Sequence, residues 1–294
     1  MTYFEQISSK GAFFMLPERL LIRVTGSDRL RYLNGQVTND LKRLVPREAM
    51  QACLLTPKGK LSAVIWMTLQ EEAILLEAPL ELSEELMARL ERYLVADDVV
   101  LEVIPSEPTI HVFGDLLDNP VLKKISGVLI PRLAFPGKDI KISQLPSDFL
   151  KKHQTLTEDQ VEVLRIAQGV PKWGAELTPD RLPPEAHLER QAIDYNKGCY
   201  VGQEVISRLR SVGRVNRLLV GFSTTKEGEV LHAGMKLFSL SDSEKSIGFI
   251  TSAVQAFGAD PFMALGYLAR NFEGHDIIAI DETTGRKVRI IKNL

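Results

Sequence analysis

The stretch richest in reactive side chains is Asn196–Arg208, NKGCYVGQEVISR. Gly198 and Gly202 bracket Cys199, which follows Lys197 by two residues. Glycine enters backbone regions that other residues avoid, so the pattern reads as a tight loop displaying a thiol. A helix is expected to begin near Gln203. A nearby ammonium and a helix N-terminus both favour thiolate over thiol, making Cys199 the candidate functional thiol and Lys197 its candidate catalytic partner. Tyr200 is either packing or a stacking surface. Gln203 and Glu204 are either caps of the helix or anchors of the loop. Downstream, Arg208, Arg210, Arg214 and Arg217 suit either a solvated basic face or an anionic group. The second cysteine, Cys53, lies in the apolar run Ala52–Leu55 and reads as core.

Other chemistries are excluded by type and spacing. His111, His153, His187, His232 and His275 each lack a second histidine or a cysteine three to five residues away, so no local zinc motif exists. Two cysteines do not supply the four thiolates of a resident iron–sulfur cluster, and no stably bound metal is expected. The net charge of −2 exerts no bulk pull on nucleic acid. The arginine cluster lacks interleaved aromatics, so no nucleic-acid partner is expected. Residues Met1–Leu16 show neither a secretory signal nor an Arg-rich presequence, and no apolar run approaches the roughly 20 residues that span a bilayer. The expected location is a bacterial cytoplasm, with the mitochondrial matrix second.

The elements that must position this loop follow from periodicity. At about 150 residues per domain, 294 residues suggest roughly two domains. Leu20–Val24 reads as a strand, followed by a helix capped by Ser27 or Asp28. Ala49–Thr56 and Leu61–Leu69 read as strands joined by the turn Pro57-Lys58-Gly59-Lys60. Ala73–Glu77, a helix opening at Ser83 and Val99–Ile104 follow. A helix opens after Thr157 and ends at Gly169-Val170-Pro171. Beyond Val212, short strand candidates at Arg217–Ser223, Met235–Ser239, Ile247–Thr251, Phe262–Leu268, Asp276–Ile280 and Lys287–Lys292 predict a small barrel. The expected domains are therefore 1–211 and 212–294.

Lys197-Gly198-Cys199-Tyr200-x-Gly202-Gln203-Glu204 resembles the signature of the folate-binding YgfZ family, which is related to the T-protein, the aminomethyltransferase of the glycine cleavage system. Other blocks resemble that family in the same order: Val24–Asp28, Tyr32–Asp40, Pro57–Lys60, Leu164–Pro171, Pro184-Glu185, Gly248–Ser252 and Ala264–Tyr267. The stretch 110–154 adds nothing to it. The resemblance implies an α+β, aminomethyltransferase-like folate-binding region followed by a small C-terminal β-barrel. It implies tetrahydrofolate or a folate derivative as cofactor, with Arg165, Arg208 and Lys58 as ligand-binding candidates. Trp66 and Trp173 are candidate walls for a pterin. The T-protein carries two adjacent Asp on the strand after its paired glycines; here Ala63-Val64 stand there, and Ala167 stands where the family helix often has Glu. Aliphatic side chains take no proton. These departures favour the YgfZ branch: an accessory factor in iron–sulfur cluster assembly or repair, with iron–sulfur client proteins or assembly machinery as partners. The alternative is a folate-dependent one-carbon transferase drawing its acid from Asp40, Asp97 or Asp98.

Overall fold

The computed structural model describes residue 7 and residues 10–225, 229–255, 262–274 and 277–293. His275 and Asp276, the latter expected to open a barrel strand, lie outside these. The chain divides into two compact units, 1–157 with 188–211, and 158–187 with 212–294.

The first unit holds two antiparallel sheets. One has the order β3-β4-β5-β2-β6, with β2 at Arg19–Thr25, β3 at Ala49–Leu55, β4 at Leu61–Leu69, β5 at Ile74–Pro79 and β6 at Val100–Ile104. The other is β1-β7-β9-β8, with β1 at Ala12–Met15, β7 at Thr109–Phe113, β8 at Val128–Leu129 and β9 at Gly137–Lys141. Strand β4 shows why the pattern folds this way. Leu61, Ala63, Ile65 and Met67 point into the core, while Ser62, Val64, Trp66 and Thr68 stay partly open, the two-residue period of a half-buried strand. Helix α1 (Arg29–Gln36) buries Tyr32, Leu33 and Gln36. Asp28 sits at its N-cap, yet its carboxylate accepts from the Asp98 amide, while Asp98 accepts from the amide and hydroxyl of Ser27. Helix α2 (Ser83–Glu91) starts at Ser83, whose hydroxyl donates back to the Leu80 carbonyl.

The stretch 110–154, without motif signal, builds the second sheet around Phe13, Ile110, Val112, Leu122, Ile140 and Phe149, with short helices α3 (Pro120–Lys124) and α4 (Phe149–Lys152). It also supplies a buried charge network. His111 meets Asp139 at 2.8 Å, Asp139 accepts a forked pair of bonds from Arg132, and Arg132 reaches Glu77 at 2.6 Å, which Arg19 meets at 3.1 Å. The network ties one sheet to the other, since Glu77 and Arg19 lie on β5 and β2.

The second unit begins with α5 (Glu158–Ala167), ended by Gly169 at φ +67°. It continues into a closed barrel, β10-β13-β12-β11-β14-β15, with β10 at Arg217–Thr224, β11 at Lys236–Ser239, β12 at Asp242–Gln255, β13 at Phe262–Ala269, β14 at Ile277–Ile280 and β15 at Lys287–Asn293. Strand β12 extends well before the expected Ile247, because its polar first half carries no apolar alternation to betray it. Residues 158–187 pack with this barrel, whereas composition suggests a single cut after Ser211. The reason is Glu176, fully buried, whose carboxylate accepts from Arg165, the Lys172 amide and the hydroxyls of Thr251 and Ser252. Tyr267 donates to the Glu176 carbonyl.

Candidate functional site

Helix α6 (Gln203–Ser211) begins where the sequence predicts, directly after the glycine-bracketed loop. Gly202 has φ +86°, and a Cβ there would lie 2.6 Å from the Thr56 carbonyl oxygen. Gly59 has φ +74°, and its Cβ would lie 2.8 Å from Val205. The hairpin turn and the cysteine loop therefore meet through two bare backbones, each in a conformation L side chains resist. Gly198 differs: a Cβ there would meet open space, and its φ is not left-handed.

Lys197 is 8% exposed. Its ammonium donates to the carbonyls of Asn34 (2.6 Å), Val37 (2.6 Å) and Asn39 (2.8 Å). Lysine has three N–H donors and no more, so all are committed to main-chain oxygens, one in the last turn of α1 and two in the segment that follows it. Burial pushes its pKa down to about 8, against the pull of Asp40 and Asp194. Tyr200 is buried under that ammonium, its ring centroid 5.1 Å from Nζ. The Val201 amide donates to the Gly35 carbonyl at 3.3 Å. Between these fixed points Cys199 is exposed. Cys53 is fully buried, and burial pushes its thiol up to about 12. Gln203 approaches the Lys197 carbonyl at 3.5 Å, and Glu204 faces outward.

The block Asn34–Asp40 is the other half of the site. Thr38 bonds Cys53 on β3 and the Ala192 carbonyl, and the Asn39 amide group donates to the Gln51 and Gln191 carbonyls. These bonds hold segment 191–197 against β3. Beside it lie two connected cavities. One, about 250 Å³, has Leu44, Val45, Met50, Trp66 and Pro131 in its wall. The other, about 420 Å³, has Asn39, Arg43, Arg190, Asp194, Asn196 and Arg210. They share Arg43, Met50 and Gln191. The two adjoin at those residues: the first sets Trp66 among apolar side chains with Glu48 and Gln51 also in its wall, and the second is arginine-rich. Arg43 pairs with Asp194 at 3.0 Å, and Arg210 stacks over Tyr195 at 4.2 Å.

The other sequence candidates scatter. Lys58 is exposed on the hairpin turn, and Arg208 is exposed on α6. Arg165 belongs to the second unit, where its guanidinium is taken up by Glu162, Glu176 and the Val170 carbonyl. The candidate acids are also engaged: Asp40 accepts from the Lys42 amide, Asp97 pairs with Arg31 at 2.6 Å, and Asp98 holds Ser27. Of the aliphatic pair on β4, Ala63 is buried and only Val64 has an open face. Arg43, Arg190 and Asp194 escaped the sequence reading; an Arg–Asp pair so far apart in the chain leaves no local signature. Among the described residues, no group of three or more His, Cys, Asp or Glu is arranged to hold a metal ion, and no helix is long and apolar enough to cross a membrane.

No family model matches the chain. An uncharacterised protein of Haemophilus influenzae is 26% identical over 252 residues, covering 84% of this chain and 85% of that protein. The tRNA-modifying protein YgfZ of Hamiltonella defensa is 26% identical over 262 residues, covering 80% and 76%. The crystal structure of the glycine cleavage system aminomethyltransferase T from Bartonella henselae superposes with a TM-score of 0.81 at 18% identity, over 99% of this chain and 87% of that one. The chain is a relative of the YgfZ proteins. This YgfZ relative has the aminomethyltransferase-like fold, ending in the closed barrel that the strand spacing predicts. It is also 26% identical over 240 residues to the mitochondrial iron–sulfur cluster assembly factor IBA57 homolog of Phaeosphaeria nodorum, covering 74% of this chain and 58% of that protein.

Proposed function

We propose that this YgfZ relative is a folate-binding accessory factor for iron–sulfur cluster assembly or repair in client enzymes, acting through the Cys199 thiol. The observation that carries the reading is the exposed Cys199 on a loop anchored on both sides, three residues along the chain from Asn196, which lines the arginine-rich cavity. The name of one relative, an iron–sulfur cluster assembly factor homolog, supports the reading.

The adjoining cavities suit a folate. A pterin is planar and fits against Trp66, while the carboxylates of the glutamyl tail suit Arg43, Arg190 and Arg210. When bound, a folate supplies a one-carbon or redox-active pterin centre. The chain's residues then hold its two ends and leave the thiol free. A transferase reading is disfavoured because Val64 offers no proton on the open face of β4, and Asp40, Asp97 and Asp98 are engaged in structure. The cluster itself is cargo: one thiolate contributes a single ligand during transfer, with the rest supplied by a partner.

Complementation tests the reading. In cells lacking the protein, Cys199→Ser should fail to restore iron–sulfur enzyme activity, and full rescue overturns the role of the thiol. In a Trp173→Phe background, tetrahydrofolate should quench Trp66 fluorescence saturably; absence of quenching removes the folate part of the reading.

A further inference from the structure

We propose that Lys197 is a positioning residue: its ammonium, seated among three main-chain carbonyls, fixes the loop so that Gly198 and Cys199 are held outward, and it does not act on the thiol as a charge. The inference rests on the proposed role of Cys199 and adds the device that orients it.

The argument is geometric. A buried ammonium needs its hydrogen bonds met, and the oxygens of Asn34, Val37 and Asn39 meet all three donors at 2.6–2.8 Å. No N–H is left to donate to a thiolate, and three carbonyl dipoles converge on the charge and offset its field. The Asn34 carbonyl lies in the last turn of α1, where a helix carries partial negative charge, and those of Val37 and Asn39 lie in the segment just after it; Lys197 docks the loop across that junction. Three residues on, Tyr200 is buried, and Val201 bonds Gly35 on the same helix. The chain from Lys197 to Tyr200 spans at most about 11 Å, so two fixed points confine the two exposed residues between them. The same seat is contiguous with the arginine-rich cavity: Asn39 gives its carbonyl to Lys197 and lines that cavity, as does Asn196. The residue before the lysine and one of its three carbonyl partners thus border it.

The test compares Lys197→Met and Lys197→Arg with the wild type. Arginine keeps the charge, but its planar fork does not direct three N–H bonds at three converging oxygens. In Lys197→Met, hydrogen-exchange protection of the Val201 amide should fall at least tenfold. The pH at which iodoacetamide alkylates Cys199 half-maximally should stay where it is in wild type, complementation should be lost, and Lys197→Arg should restore none of these losses. A midpoint that moves up in Lys197→Met and returns in Lys197→Arg assigns Lys197 an electrostatic action on the thiol and overturns the proposal; so does Val201 protection within twofold of wild type. Should Lys197→Met fail to fold, nitrogen-15 NMR of wild-type lysines decides: a seated ammonium gives a slowly exchanging resonance, and a fast-exchanging one overturns the proposal. Rescue by Cys199→Ser together with lost Val201 protection in Lys197→Met would end the proposed function and leave this inference standing.

Discussion

The two glycines of the cysteine loop should respond oppositely to alanine. At Gly202, φ +86° lies in a region that costs an L side chain about 1–2 kcal/mol. The new Cβ would also stand 2.6 Å from the Thr56 carbonyl oxygen and 3.0 Å from Leu55 Cβ, so the hairpin must move. Overpacking of that kind adds about 1–3 kcal/mol. The alanine restricts the unfolded chain and returns about 0.4–1 kcal/mol. The net is a loss of about 1–5 kcal/mol, a large share of the roughly 5–15 kcal/mol that stabilises most proteins. At Gly198 the Cβ meets nothing and only the unfolded-state term acts, so Gly198→Ala should be neutral or more stable by about 0.4–1 kcal/mol. Urea unfolding in a Trp173→Phe background reads this cleanly, because Trp66 then reports on the first unit alone. If Gly202→Ala unfolds within about 0.5 kcal/mol of its parent, or if Gly198→Ala loses as much as Gly202→Ala, the description of the loop is wrong.

Two further outcomes follow from buried charge. His111 is fully buried, and burial lowers its pKa, so below about pH 6.5 the unfolded chain takes up a proton that the folded one refuses. The first unit should lose about 1.4 kcal/mol per pH unit from there down to the folded pKa; urea midpoints between pH 5 and 7.5 should show this slope in wild type and lack it in His111→Gln, and equal slopes in both would refute the assignment. In the second unit, Glu176→Gln leaves Arg165 its pair with Glu162 but turns an amide NH2 toward donors that the carboxylate now accepts from, which should cost about 1–3 kcal/mol, measurable through Trp173 fluorescence in a Trp66→Phe background.

What was legible in the sequence was carried by residue type and period. The alternation along Leu61–Leu69 gives β4 its bounds and faces, Pro57–Lys60 gives the turn, and the run after Val212 gives the barrel. The loop's glycines announced a tight turn, and Gly202 proved the one under steric demand. The destination of Lys197 was not legible, because the acceptors are carbonyl oxygens that every residue carries, located at the end of α1 and just after it, some 160 positions earlier. His111, Arg132 and Asp139 were missed for a related reason: a charge network assembled from separate strands has no spacing of its own. Glu176 shows how this misleads a domain boundary, since nothing in the composition of 158–187 marks it as belonging with the barrel.

The pleat of β4 makes the two aliphatic positions unequal. Ala63 is walled into the core, and a carboxylate there would have to be buried without a partner. Val64 opens outward on the same face as Trp66, where an acid would meet solvent or ligand. A change at the second base of any valine codon gives an aspartate or a glutamate codon. A proton-bearing group on that face is therefore one base change away and leaves the interior untouched, whereas the same kind of change at Ala63 would unsettle the core: the pleat leaves only one of the two positions free to vary.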